Sequence, residues 1–208
     1  NDLISGGEGS DTYVFRRGDG RDVVDENGRN LWDTDTLRIE GYSDAEVTFS
    51  QLPGVSDTLV ITFANSDDEI IVWNTLDSDS YDQLEKIDIV DGTGLVTSRT
   101  IGEIKALLVG VKSTGGDNRI VGFDTADELN GGLGNDWLSG GDGSDTYVFR
   151  RGDGRDVIVD GGLYDTDVIR IEGYAPLDVR FARSVLAAND LVITFAGTDD
   201  SITVRNTL

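Results

Sequence analysis

The chain has no cysteine and no histidine among its 208 residues, and only two prolines. Without cysteine there are no disulfides, no thiol chemistry and no structural zinc site of the Cys type. Without either residue, no Ser/His/Asp or Cys/His catalytic set can be assembled. Basic residues are scarce too. Seventeen Lys and Arg face 40 Asp and Glu, for a net charge of -23. Such a chain should repel nucleic acid and anionic membrane surfaces, and should resist its own compaction unless cations offset the acids. No apolar run approaches a membrane span, and no signal peptide is visible. The sequence starts at Asn1 rather than Met and stops at Leu208 inside a repeated unit. The expectation is a piece of a longer polypeptide.

What is present is glycine, 27 residues at regular positions, within two copies of one long unit. Asn1–Asp25 returns as Asn135–Val159 and differs at five of 25 positions. The copies diverge in length around Glu26–Trp32 and rejoin. Asp35–Tyr42 matches Asp167–Tyr174, and Leu59–Leu76 matches Leu191–Leu208. Two tandem modules are expected, 1–112 and 113–208, the second truncated at its C-terminal end.

Inside each copy runs a nine-residue period. GGLGNDWLS from Gly131 and GGDGSDTYV from Gly140 place Gly at positions one, two and four, Asp at six and an apolar residue at eight. GFDTADELN keeps Asp127 and Leu129, and STGGDNRIV puts Asn118 and Ile120 in phase. After the inserted Phe149 and Arg150, the phase returns at Asp156/Ile158 and again at Asp167/Ile169. The first copy repeats it at Asp2/Ile4, Asp11/Tyr13, Asp22/Val24 and Asp35/Leu37. One such stretch would be an ordinary flexible linker, but several in one register are not. A nine-residue step lets a short strand point one side chain inward, turn and start again. Glycines admit positive φ and let carbonyls face a common point, and the Asp adds a charged oxygen. Hard oxygens in a glycine-rich loop suit Ca²⁺ better than Mg²⁺, and softer metals find nothing to hold them.

These blocks resemble the RTX (repeats-in-toxin) family, whose pattern is GGxGxDxUx. The resemblance implies a parallel β-roll with several Ca²⁺ ions between stacked turns. Carried onto this chain, it implies ligands at Asp2, Asp11, Asp22, Asp127, Asp136, Asp145 and Asp156. Carbonyls of Gly7, Gly9, Gly20, Gly132, Gly134, Gly141, Gly143 and Gly154 join them, with Asp35 and Asp167 in loops that lack the glycines. Phe123 and Ala126 break the pattern at the start of the second roll and predict weakened or empty sites there. The remainder resembles the haemolysin-type calcium-binding related region. The fold expected is all-β, each module a short β-roll followed by antiparallel strands over Leu37–Tyr42, Val47–Gln51, Leu59–Ala64 and Ile70–Asn74. A further strand at Ile87–Val90 and one short helix near 100–108 complete it. Thr100 and Glu103 form a capping box for that helix, and Ile101, Ile104, Leu107 and Leu108 share its inner face, covering one end of the first module.

Other motifs lead to weaker readings. Asp67/Asp68 and Asp199/Asp200 have the look of paired glycosidase acids, but they fall in predicted hairpin turns, where Asp is favoured for turn chemistry. RRGDGRD reads as a salt-bridged roll turn rather than a phosphate loop. Its RGD triplets at Arg17–Asp19 and Arg151–Asp153 are the starts of nonapeptides. Trp32, Trp73 and Trp137 could stack on sugars, yet packing explains them equally well. The expectation is a non-enzymatic, calcium-binding module of a secreted bacterial protein, folding outside the cell and supporting type I secretion. The alternatives are an adhesin-like or carbohydrate-binding segment, with a glycan or cell-surface target, and the C-terminal appendage of an RTX toxin or enzyme.

Overall fold

Runs of two to five β-branched, aromatic and aliphatic residues, each bounded by a Gly-Asp turn, are too short to fold back on themselves. They pair instead with the strand one full coil further along the chain. The computed structural model describes residues 1–26, 33–53, 55, 57–76, 83–110, 113–162 and 165–207. Packing divides the chain into two units, Asn1–Leu108 and Val109–Leu208. Trp32 and residues 111–112, at the expected module boundary, lie outside the described residues.

The first unit contains β1 (Leu3–Ile4), β2 (Thr12–Arg16), β3 (Arg21–Val24), β4 (Thr36–Glu40), β5 (Val47–Gln51), β6 (Leu59–Phe63), β7 (Glu69–Val72), β8 (Lys86–Val90) and β9 (Val96–Thr100). Helix α1 follows at Ile101–Gly110. The second contains β10 (Arg119–Val121), β11 (Glu128–Leu129), β12 (Trp137–Ser139), β13 (Thr146–Arg150), β14 (Arg155–Ile158), β15 (Val168–Glu172), β16 (Val179–Arg183), β17 (Leu191–Phe195) and β18 (Ser201–Val204).

Alternate strands go to opposite sheets. In the second unit β10, β12, β14 and β18 are parallel neighbours in one sheet, and β11, β13 and β15 in the other. Ile120 sits beside Leu138, and Leu138 beside Ile158. The first unit follows the same plan, with β1-β3-β7 in one sheet and β2-β4-β8 in the other. This is a parallel β-roll, and the all-β class is as the sequence predicts.

The roll goes further than the glycine repeats. The expected antiparallel strand at Leu37–Tyr42 is instead a roll strand, since β4 runs parallel to both β2 and β8. The hairpin β5-β6 is an excursion. The chain returns antiparallel through β6 into β7, which then stacks parallel on β3. The second unit does the same with β16, β17 and β18.

Position eight forms the core: Tyr13, Val24, Leu37, Ile120, Leu129, Leu138, Tyr147 and Ile158 are all buried, whereas Ile4 is exposed and Ile169 half-buried. The core is thicker than one residue per nonapeptide. The inserted Phe15 and Phe149 point inward as well, stacking on Phe63 and Phe195 at 5.5 and 5.1 Å, and Tyr42 and Tyr174 close against the same rings. Helix α1 carries the expected capping box: the Glu103 N–H donates to Thr100 Oγ1 and the Thr100 N–H to Glu103 Oε2. Its buried face is Ile101, Ile104, Lys105, Leu108 and Val109, with Leu107 turned out. No described helix is long and apolar enough to cross a membrane.

The units differ at one edge. In the first, β8 covers β4, and Leu37, Ile39 and Tyr42 are fully buried. In the second, no strand covers β15 among the described residues, and the matching Ile169, Ile171 and Tyr174 are half-buried.

Candidate metal centres

The turns between strands stack in register, and the position-six residues form columns. The N–H of each residue in a column donates to the carboxylate one coil on. Asp2 reaches Asp22 Oδ1 at 2.8 Å and Asp11 reaches Asp35 Oδ1 at 2.7 Å. In the second unit, Asn118 reaches Asp136 at 2.7 Å, and Asp136 reaches Asp156 at 3.0 Å. Asp127 reaches Asp145 at 2.8 Å, and Asp145 reaches Asp167 at 3.0 Å. The expected aspartates therefore fall into four columns, two per unit.

One oxygen of each carboxylate is spent on this ladder, and the other is the informative one. Oδ2 of Asp11, Asp136 and Asp145 is buried with no hydrogen-bond partner. It lies directly over the first glycine of its own turn, so close that a Cβ on Gly140 would sit 1.7 Å from Asp145 Oδ2. Gly7, Gly9, Gly20, Gly132, Gly134, Gly141, Gly143 and Gly154 all have φ between +83° and +136°. Two of them show why no side chain is tolerated. A Cβ on Gly134 would lie 2.7 Å from the Gly116 carbonyl oxygen, and one on Gly143 2.6 Å from that of Thr125. The turns thus stack carbonyl against backbone. The Gly20 and Gly154 carbonyls each accept a ladder N–H, from Glu69 and Ser201 at 2.9 Å.

Leaving a buried polar atom unsatisfied costs about 1–3 kcal/mol, and more if it is charged. Against a net folding stability of about 5–15 kcal/mol, three such atoms are a heavy load. Carboxylate and carbonyl oxygens, with no nitrogen or sulfur donor, are the donor set of a hard cation, and calcium fits it. Burial pushes Asp145 up to about 7; the Asp127 N–H opposes the rise, while Asp127, Asp160 and Asp167 add charge repulsion. Burial likewise pushes Asp156 up to about 7, opposed by the Asp136 N–H and reinforced by Asp136, Asp153 and Asp200. Asp35, Asp136 and Asp167 move up for the same leading reason. A divalent ion would replace that repulsion with attraction.

Asp127 differs from its neighbours. Its Oδ2 accepts the Phe123 N–H at 2.6 Å, and Phe123 is itself buried.

The acid pairs of the hairpin turns are clamps. Asp68 accepts the N–H groups of Gly18 at 2.7 Å and Gly20 at 3.0 Å, and the Tyr42 hydroxyl. Burial would raise its pKa, but these donors outweigh burial and hold it below the usual carboxylate range. Asp200 repeats this with Gly152 and Tyr174. The RGD triplets are consumed by the same turns, where Asp19 and Asp153 accept the Arg16 and Arg150 N–H groups. The arginines do not pair with acids of their own motif as expected. Arg16 pairs with Glu40, Arg17 with Glu46 and Arg150 with Glu172. Trp73 is partly exposed, and Trp137 lies under the Arg119 guanidinium, 3.9 Å from its ring centre.

Several acids at these turns escape the nine-residue pattern. Asp33 and Asp165 accept the N–H groups of Gly9 and Gly143. Glu85 extends a column by accepting the Asp35 N–H at 2.5 Å. Glu26 and Asp160 stand beside Asp11/Asp35 and Asp145/Asp167. The signal that marks this last pair is the duplication, which puts an acid at the same place in both copies.

Comparison with known families agrees with this geometry. The family model described as the RTX calcium-binding nonapeptide repeat matches residues 1–24, 113–147 and 121–158, in four copies. No curated protein matches the chain. The chain carries RTX calcium-binding repeats, and the roll they build is a calcium-binding module of RTX type.

Proposed function

We propose that this module folds on binding calcium outside a bacterial cell. In this reading it belongs to a secreted protein, found free or at the cell surface, that crosses a type I secretion channel unfolded at low cytosolic calcium. The observation that carries the reading is the buried, partnerless Oδ2 of Asp11, Asp136 and Asp145. Ligands of the metal are Asp2, Asp11, Asp22, Asp35, Asp127, Asp136, Asp145, Asp156 and Asp167, with the glycine carbonyls of the same turns. The chain's own residues pre-stack the carbonyls and aim the carboxylates, and calcium supplies the positive charge. Binding to the folded state alone would then shift the folding equilibrium by mass action.

The module has no catalytic role in this reading. Asp68 and Asp200 are tied to backbone N–H groups and a tyrosine, which suits a turn clamp and not a proton donor. Calorimetric titration tests the proposal: several Ca²⁺ ions should bind with proton release below about pH 7, and Mg²⁺ should not displace them. An absence of calcium binding, or equal affinity for Mg²⁺, would overturn it.

A second reading, a segment that binds a glycan or cell-surface target on a calcium-built scaffold, draws on one observation. Leu177, Phe181, Val185 and Leu186 of the second unit are largely exposed. A glycan array probed with the calcium-loaded protein separates the two.

A further inference from the structure

Glu26 and Asp160 lie outside the glycine turns, just past the ends of β3 and β14. Both are held in place by a tyrosine. The Tyr13 hydroxyl donates to Glu26 Oε2 and accepts the Gly6 N–H at 2.8 Å. The Tyr147 hydroxyl donates to Asp160 Oδ1 at 2.7 Å and accepts the Gly140 N–H at 2.7 Å. These tyrosines occupy position eight of the GGEGSD and GGDGSD repeats.

Each relay brings a third carboxylate to a pair already stacked. Oxygens of Asp11, Glu26 and Asp35 lie within 4.8 Å of one another, and so do oxygens of Asp145, Asp160 and Asp167. A cluster of acids alone would be unremarkable, but one member here is wholly enclosed. Asp145 is 0 % exposed, and its Oδ2 has no hydrogen-bond partner. That oxygen shares the space above Gly140 with the Tyr147 hydroxyl: a Cβ there would lie 1.7 Å from one and 2.8 Å from the other. It therefore lies beside the tyrosine that holds Asp160. In the first unit Asp11 Oδ2 is likewise buried without a partner.

These places are also where the glycine cage runs out. The turns above GGEGSD and GGDGSD carry Asp33-Thr34-Asp35 and Asp165-Thr166-Asp167, with no glycine at positions two and four. Asp33 and Asp165 fill part of the gap by accepting glycine N–H groups. We propose that Glu26 and Asp160 are themselves calcium ligands, each completing a three-carboxylate site at the GGEGSD or GGDGSD turn of its roll. With three formal negative charges, these sites bind before those built from two carboxylates and carbonyls.

This inference rests on the calcium reading, and the test separates the two. Flow dialysis with Ca²⁺ counts ions and affinities on the intact chain and on the Glu26→Gln/Asp160→Asn double variant. The expected result is one tight ion lost per module, with the remaining sites filled at higher calcium. If the intact chain binds no calcium, the calcium reading fails. If it binds several ions and the double variant binds as many with unchanged affinity, only this inference fails, and the two acids are hydrogen-bond acceptors alone. The second measurement does not depend on that variant folding. Tb³⁺ replaces Ca²⁺ on the otherwise unaltered protein and is excited through tyrosine. Sensitised emission should appear with the first ions bound and fall in the Tyr13→Phe/Tyr147→Phe protein, which keeps all six carboxylates. Emission that is absent, or the same with and without these tyrosines, overturns the proposal.

Discussion

The Asp127 N–H reaches Asp145 Oδ1 at 2.8 Å, while Asp145 Oδ2 is buried without a hydrogen-bond partner among the described residues. Asp127 spends its own second oxygen on the Phe123 N–H. Two neighbours in one column thus differ, one with its second oxygen open to a cation and one with that oxygen shared with a backbone N–H.

Single substitutions should therefore be unequal. Asp136→Ala and Asp145→Ala each remove an unpaired buried oxygen from a turn with the full glycine pattern. Each should raise the calcium midpoint of folding by about tenfold, equivalent to about 1.4 kcal/mol. Asp127→Ala should raise it by much less. Calcium titrations of the three variants, followed by circular dichroism, give the ranking. A series in which Asp127 is the costliest position contradicts the column as described.

The buried aspartates also set a pH dependence for the metal-free protein. Asp145 and Asp156 stand at about 7 when folded against an ordinary 3.8. The folded state then holds more protons than the unfolded one between those values. The stability contributed by these groups is fully present below the lower value and is lost as pH rises through about 7. Asp68 and Asp200, held low, titrate beneath this window and leave it clear. In chelator, where calcium no longer orders the turns, the residual strand signal should be stronger at about pH 5 than at about pH 8. With calcium the order reverses, since protons compete for the same oxygens and binding weakens as pH falls. A chelated protein whose strand signal falls from pH 8 to pH 5 would refute this assignment.

The second module should open first on heating or chelation. Among the described residues no strand pairs with β15 as β8 does with β4, and Ile169 and Ile171 are half-buried where Leu37 and Ile39 are fully buried. Hydrogen exchange should find Leu191–Phe195 less protected than Leu59–Phe63. Equal or greater protection in Leu191–Phe195 would count against it.

The roll was legible in sequence wherever two positions repeated together. Asp136 with Leu138 and Asp145 with Tyr147 fix both the turn and the inward side chain, and nothing but a nine-residue coil satisfies both. Past β4 the signal fails for a physical reason. The hairpin excursion separates Asp22 from its neighbour Ile70, and no glycine turn marks the return. Asp68 and Glu85 stand in for the missing turns with side chains, and side-chain substitutes leave no periodic trace. Glu26 and Asp160 were missed because they reach the turns from strand ends, through Tyr13 and Tyr147. In α1 the sequence pattern put Leu107 inside, whereas the buried position is Lys105.

The central claim is that calcium drives ordering of the glycine turns. A net charge of -23 and three buried unpaired carboxylate oxygens oppose folding without it. Extracellular calcium modules commonly bind at about 10⁻⁴–10⁻³ M, which would leave this chain unfolded at cytosolic calcium and folded outside. Far-UV circular dichroism and small-angle X-ray scattering across one calcium titration read both secondary structure and size. The account predicts an expanded chain with weak strand signal in chelator, and a compact, strand-rich one by about millimolar calcium. A spectrum and radius of gyration that stay the same from chelator to saturating calcium would contradict it.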